Sequence, residues 1–150
     1  MVKLKPISKV LIVFTSKEKP NHSRRGYKTQ NRTMVGILRY LGHNIDVNNQ
    51  RGHPDIVSSY GNTYLWQVKD TYRDSFSLTH KDFVGIYSID KLGYLAILCR
   101  QTGRWICISV NRLKNYIGCS LSICSLEAIK DTELSNSFNF AYHLLQEEAV

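Results

Sequence analysis

Apolar residues along this chain change their spacing several times, and each change marks an element. The run Val10-Leu-Ile-Val-Phe14 is short and β-branched, which predicts a strand over 9–15. Residues 16–26, with Pro20, Asn21, Ser23 and Gly26, read as a loop. Over 32–42 the side chains of Met34, Ile37, Leu38 and Leu41 recur at i, i+3, i+4 and i+7, one stripe of an amphipathic helix, with Gly42 as its stop. Three β-like segments follow at 43–48, 55–59 and 63–69, the last two joined by the hairpin-type turn Tyr60-Gly61-Asn62-Thr63. A helix is predicted over 79–90, with Phe83, Ile86 and Tyr87 turned inward, then strands over 94–99 and 105–110. The tail suggests a short helix over 111–117 and a longer one over 131–148. No internal repeat interrupts the order of helix, three strands, helix and two strands, which predicts an α/β sandwich on a mixed sheet.

Composition narrows the class. The chain has 150 residues, 43% hydrophobic and 21% charged, the size and mixture of a single domain with a real core. The apolar runs at 10–14 and 95–99 fall far short of the roughly 20 residues a membrane helix needs. The basic, apolar start lacks a small-residue cleavage site, so it reads as a strand. The expectation is an intracellular protein, of cytoplasm or nucleoid, with no membrane partner. The cysteines Cys99, Cys107, Cys119 and Cys124 include no C-x2-C pair, and they read as buried, reduced thiols.

Charge changes the picture more. The net charge of +8 is concentrated at one end: residues 1–40 hold ten bases against Glu18 alone, whereas the rest holds ten against eleven acids. The stretch KEKPNHSRRGYK looks like an exposed loop rich in phosphate-binding side chains, and a polyanion is the expected partner. Arg24, Arg25, Lys28 and Arg32 are its candidate DNA contacts, joined by His53 and Lys81, although a His before Pro at a strand entrance is more often a surface turn residue, and a solvated helix lysine explains Lys81 equally simply.

The candidate chemistry lies in HPDIVSSYGNTYLWQVKD, residues 53–70. Side chains alternate along a strand, so Gln67 and Lys69 share one face, and Trp66 and Val68 the other. A tight hairpin places Asp55 beside them. An acid, a neutral oxygen donor and a lysine converge, an arrangement suited to a hydrated Mg²⁺ next to a phosphate.

Pro54-Asp55, an eleven-residue gap and Gln67-Val68-Lys69 resemble the PD-(D/E)xK signature of the restriction-endonuclease-like nucleases, with Gln in place of the central acid. The element order over about 27–110 is similar to that superfamily's αβββαβ core, which leaves 1–26 as a basic N-terminal segment and 111–150 as a C-terminal helical extension of one nuclease domain. The resemblance implies an endonuclease that hydrolyses phosphodiester bonds in double-stranded DNA with Mg²⁺, or Mn²⁺ as substitute. It implies Asp55, Gln67 and the Val68 carbonyl as metal ligands, and Asp55, Gln67 and Lys69 as the catalytic set, with Lys69 orienting the attacking water. The glutamate common on the first helix has no counterpart here; the matching stretch offers Gln30 and Asn31. With Asp55 the only carboxylate, cation affinity is expected to be weak without a DNA phosphate, and Lys69 is expected to lack a close acid.

Cutting both strands takes two sites, so a homodimer or homotetramer is expected. Phe138, Phe140, Tyr142, Leu144 and Leu145 are candidates either for that interface or for an intramolecular cover of the sheet. Three uses fit: a site-specific enzyme of homing or restriction type, favoured by the compact size and neutral Gln67; a Holliday-junction resolvase; and a nuclease-derived protein that binds nucleic acid without cutting it.

Overall fold

This computed structural model describes residues 24–46 and 54–148, with side chains over 31–46 and 54–147. The strand expected at 9–15, most of the basic loop and His53 lie outside the described residues. The first helix, α1 (Arg24–Tyr40), starts earlier than the apolar stripe alone predicts. Gly26 is the weakest helix former in its first two turns and costs about 1 kcal/mol there, too little to end a helix anchored by Met34, Ile37 and Leu38, all buried. Arg24, Arg25 and Lys28 therefore belong to α1 and not to a loop, which corrects the reading of 16–26. A turn at Gly42, whose φ of +98° suits glycine, leads to the short strand β1 (Asn44–Ile45).

β2 (Ile56–Tyr60) and β3 (Asn62–Thr71) pair as an antiparallel hairpin about Gly61, with Ile56 opposite Trp66 and Ser58 opposite Tyr64. β5 (Leu92–Cys99) then runs parallel to β3, and β6 (Arg104–Ser109) returns antiparallel to β5. The five-stranded sheet has the order β1-β2-β3-β5-β6. A parallel pair needs a crossover connection. Here it is built from a short strand, β4 (Ser75–Ser77), and the helix α2 (His80–Ile86).

α2 is shorter than the expected 79–90. Residues after Ile86 must carry the chain back to Leu92, opposite Tyr64 on β3, so Tyr87 is already extended. Its side chain is exposed and stacks on Phe83 instead of entering the core. Two further elements escaped the pattern: β7 (Ser120–Ser122), which pairs with β4 in a small second sheet, and α4 (Ile123–Ile129). Both are short and serine-rich at their edges. The tail helix expected over 111–117 is split into α3 (Val110–Leu113) and a 3₁₀ turn, Lys114–Tyr116.

Alternation along the strands divides the core in two. On one face Ile56, Trp66, Val68, Ala96, Leu98, Trp105 and Cys107 pack under α1 and α5 (Thr132–Glu148). On the other, Leu65, Leu95, Ile97, Ile106 and Ile108 pack under α2, α3 and α4, the layer that holds Ile86, Leu113 and Leu126. The tail thus covers the sheet within the chain: Phe138, Tyr142 and Leu145 are buried, whereas Phe140 is exposed. α5 also closes the β6 edge. Asn139 accepts from Trp105 N–H at 2.6 Å and donates to its carbonyl, and Ser135 Oγ accepts from Cys107 N–H at 2.9 Å. These side chains replace a neighbouring strand and block edge-to-edge pairing. Cys99 and Cys107 are buried as expected, but Cys119 and Cys124 are exposed, because they flank the small second sheet and not the core.

No helix among the described residues is long and apolar enough to cross a membrane.

Candidate active site

The β2–β3 register determines what surrounds Asp55. Continued one step past Ile56 and Trp66, it sets Asp55 opposite Gln67, and a further step sets Pro54 opposite Val68. A strand residue sends its N–H and C=O to the same edge, so Val68 presents both toward β2. Pro54 has no N–H with which to fill the Val68 carbonyl. The Val68 N–H is instead taken by the Asp55 carboxylate, Oδ2 accepting at 2.9 Å. The Pro-Asp pair thus ends the ladder: pairing stops at Ile56 and Trp66, and the aspartate is pinned beside Val68.

Gln67 and Lys69 project from the same face as Leu65, toward α2. Gln67 is buried, and Lys69 is about one-third exposed. The face toward α2 brings a residue that the sequence reading missed. Asp82, in the first turn of α2 and only 5% exposed, meets Lys69 Nζ through Oδ1 at 3.1 Å. Its Oδ2 accepts from the Thr79 hydroxyl at 2.7 Å, and the Asp82 N–H donates back to Thr79 Oγ1 at 3.1 Å. Lys69 therefore has a close acid, contrary to expectation. The signal was present as Thr79-His80-Lys81-Asp82, a capping box that fixes both the helix start and its acid. Nothing in one dimension says that this helix start lies against Lys69.

Burial raises the Asp55 carboxyl from 3.8 to about 6, against the downward pull of the Val68 N–H and the Lys69 ammonium; the Asp82 carboxylate pushes it further up. Asp55, Lys69 and Asp82 thus form one electrostatic unit. The donor set that could hold a cation is all oxygen: Asp55, the Val68 carbonyl and the Gln67 amide. Such donors suit Mg²⁺ or Mn²⁺ over zinc, and the Asp55 carboxylate held at the Val68 N–H stands where such a cation would sit. Among the described residues there is no cluster of three His, Cys, Asp or Glu placed to hold a metal, so any cation there relies on backbone, amide and phosphate oxygens as well.

The other expected site residues are spread more widely. Asn31 lies on α1, and its Oδ1 is buried without a hydrogen-bond partner among the described residues. Gln30 lies on α1 with its side chain outside the described set. Arg32 and Lys81 are exposed, and Lys81 stands at the outer side of α2 beside His80.

Comparisons with known proteins agree with this architecture. No protein-family model matches the sequence, and no curated protein matches it either. Among solved structures, Archaeoglobus fulgidus Hjc, described as a Holliday junction resolvase from an archaeal hyperthermophile, superposes with a TM-score of 0.59 at 15% identity, over 73% of this chain and 94% of that one. A likeness at that identity establishes the fold: this chain has the mixed α/β fold of the restriction-endonuclease-like proteins.

Proposed function

We propose that this protein is a divalent-metal-dependent DNA endonuclease whose preferred substrate is a branched duplex, the four-way junction. The observation that carries the nuclease reading is the end of the β2–β3 ladder, where Asp55 is pinned to the Val68 N–H and Lys69 stands on the same face as Gln67. Few structural needs explain a half-buried lysine and a half-buried acid of raised pKa at one strand end; a bound cation and phosphate explain both. The likeness to a junction resolvase favours a branched substrate over the homing or restriction type suggested by size and by Gln67.

Asp55, the Val68 carbonyl and Gln67 would hold Mg²⁺, which when bound polarises the scissile phosphate and lowers the pKa of a coordinated water. The chain's own part is placement. Val68 N–H fixes the rotamer of Asp55, and Lys69 holds an ammonium beside the phosphate. A dimer or tetramer would bring two such sites to the two strands.

The test compares a labelled four-way junction with a linear duplex of the same sequence, with and without Mg²⁺. Junction cleavage that needs the metal and is lost in Asp55→Ala and Lys69→Ala, by roughly 100-fold or more, with binding nearly intact, is the expected result. Discrete cuts in the linear duplex alone would return the reading to a site-specific enzyme. Junction binding with no cut under any divalent metal would leave a nuclease-derived binding protein.

A further inference from the structure

The Lys69–Asp82 pair bears on a problem of charge. A divalent cation beside Asp55 and Gln67 would meet one negative charge from the protein and, close by, the Lys69 ammonium. Those two cancel, so the site as defined by Asp55, Gln67 and Lys69 is neutral and has no net attraction for a dication. Asp82 alters that sum. Its carboxylate is buried, held from behind by Thr79 at 2.7 Å, and aimed at Lys69 Nζ at 3.1 Å. With it the three ionised groups carry one net negative charge.

We propose that Asp82 is a positioning residue that neutralises and tethers Lys69, so that the site accepts a divalent cation despite having Gln67 where an acid would otherwise stand. The carboxylate stands on the first turn of α2 and not on the strand, and it acts through the lysine and not as a ligand. Two further observations agree. Asp82 lies within electrostatic reach of Asp55, so it belongs to the same site. The capping box gives its carboxylate a fixed origin, since Thr79 binds both its backbone N–H and its Oδ2. A merely structural capping acid would serve α2 equally well facing solvent, yet this one is turned under the helix to the lysine.

This inference rests on the nuclease reading for its biological sense, but its test does not depend on cleavage. Mn²⁺ binding to the full-length protein would be titrated by electron paramagnetic resonance for wild type, Asp82→Asn, Lys69→Met and the double variant. Asp82→Asn is isosteric and can still accept from Thr79. It should bind Mn²⁺ about 10- to 100-fold more weakly. Lys69→Met should bind more tightly than wild type, and the double variant should return to near wild-type affinity, because the net charge is restored. Asp90→Asn, which removes an exposed acid bonded to Ser88, should leave binding unchanged. A double variant as weak as Asp82→Asn would make Asp82 a direct ligand and overturn the proposal, as would wild-type affinity in Asp82→Asn. Should that variant fail to fold, weaker binding by Lys69→Met than by wild type would overturn it independently. Junction cleavage by the wild type, together with unchanged Mn²⁺ affinity in Asp82→Asn, would sink this inference and leave the nuclease reading standing. The expected Mn²⁺ series with no cleavage of any substrate would do the reverse.

Discussion

At the scale of single residues, two titratable groups shifted by burial pull stability in opposite directions with pH. Asp55 is raised to about 6 by burial, so the folded state holds its proton more tightly than the unfolded chain. Its contribution is full below about 4 and is lost as pH rises through about 6. His43 is lowered to about 4 by burial, with its Nδ1 on Ser58 Oγ at 2.8 Å. Its contribution is full above about 6.5 and is lost as pH falls toward 4. Each slope is at most about 1.4 kcal/mol per pH unit, and over pH 4 to 6 the two offset. Asp55→Asn should therefore expose the His43 slope, giving a metal-free protein whose stability rises from pH 4 to 6.5 in urea melts. Parallel profiles for wild type and variant would show that Asp55 titrates as it does in water. Asp55 and Lys69 were legible in the sequence because strand alternation and a tight hairpin fix their relative places. Asp82 was not, since its contact with Lys69 crosses from a helix to a sheet thirteen positions away.

At the scale of elements, α2 is the part that aims the site, and two positions hold it. Thr79→Ala removes the N-cap and the hydroxyl on Asp82 Oδ2. A cost of about 1 kcal/mol is expected, together with a loss of Mn²⁺ affinity in the direction of Asp82→Asn. Gly93 sets the other end. A Cβ there would lie 1.9 Å from the Ile86 carbonyl oxygen, a backbone atom that can move only if α2 moves. Gly93→Ala should cost about 3 kcal/mol and lower the melting temperature sharply. A melting temperature near wild type would mean that α2 and β5 are more loosely packed than described. The pattern of apolar residues located α1, β2, β3, β5, β6 and α5, because each has a long enough period to read. It failed for β4 and β7, whose three residues carry too few apolar positions and whose pairing joins residues about 45 apart in sequence, and for α4, whose seven residues are too few to show a helical period.

At the scale of the whole molecule, the helical start of α1 changes how the basic segment meets nucleic acid. At 100° per residue, Arg24, Arg25, Lys28, Arg32 and Arg39 fall within about 100° of one another on α1. The last two are exposed, opposite the buried stripe of Met34, Ile37 and Leu38. Basic positions spaced along one side of a helix should follow a phosphate backbone with less ordering cost than the same residues in a loop. Replacing Arg24, Arg25 and Lys28 with Ala should weaken DNA binding and reduce its salt dependence by about 0.9 in log–log slope for each phosphate left unneutralised. Unchanged affinity and slope would place that stripe away from the DNA. The same variants should leave Mn²⁺ binding at Asp55 intact, since α1 packs on the other face of the sheet.

The sequence by itself determined the α/β class, the two-faced sheet, the hairpin that sets Asp55 against Gln67, and the amphipathic helices that cover it. All of these follow from periodicity and turn chemistry, which act between near neighbours. The tertiary structure alone decided which acid faces Lys69 and that α5 seals the β6 edge through Asn139 and Ser135. Those outcomes depend on which layer each helix joins. Layer assignment comes from burying two apolar faces at once, a constraint on the whole chain that no local spacing records.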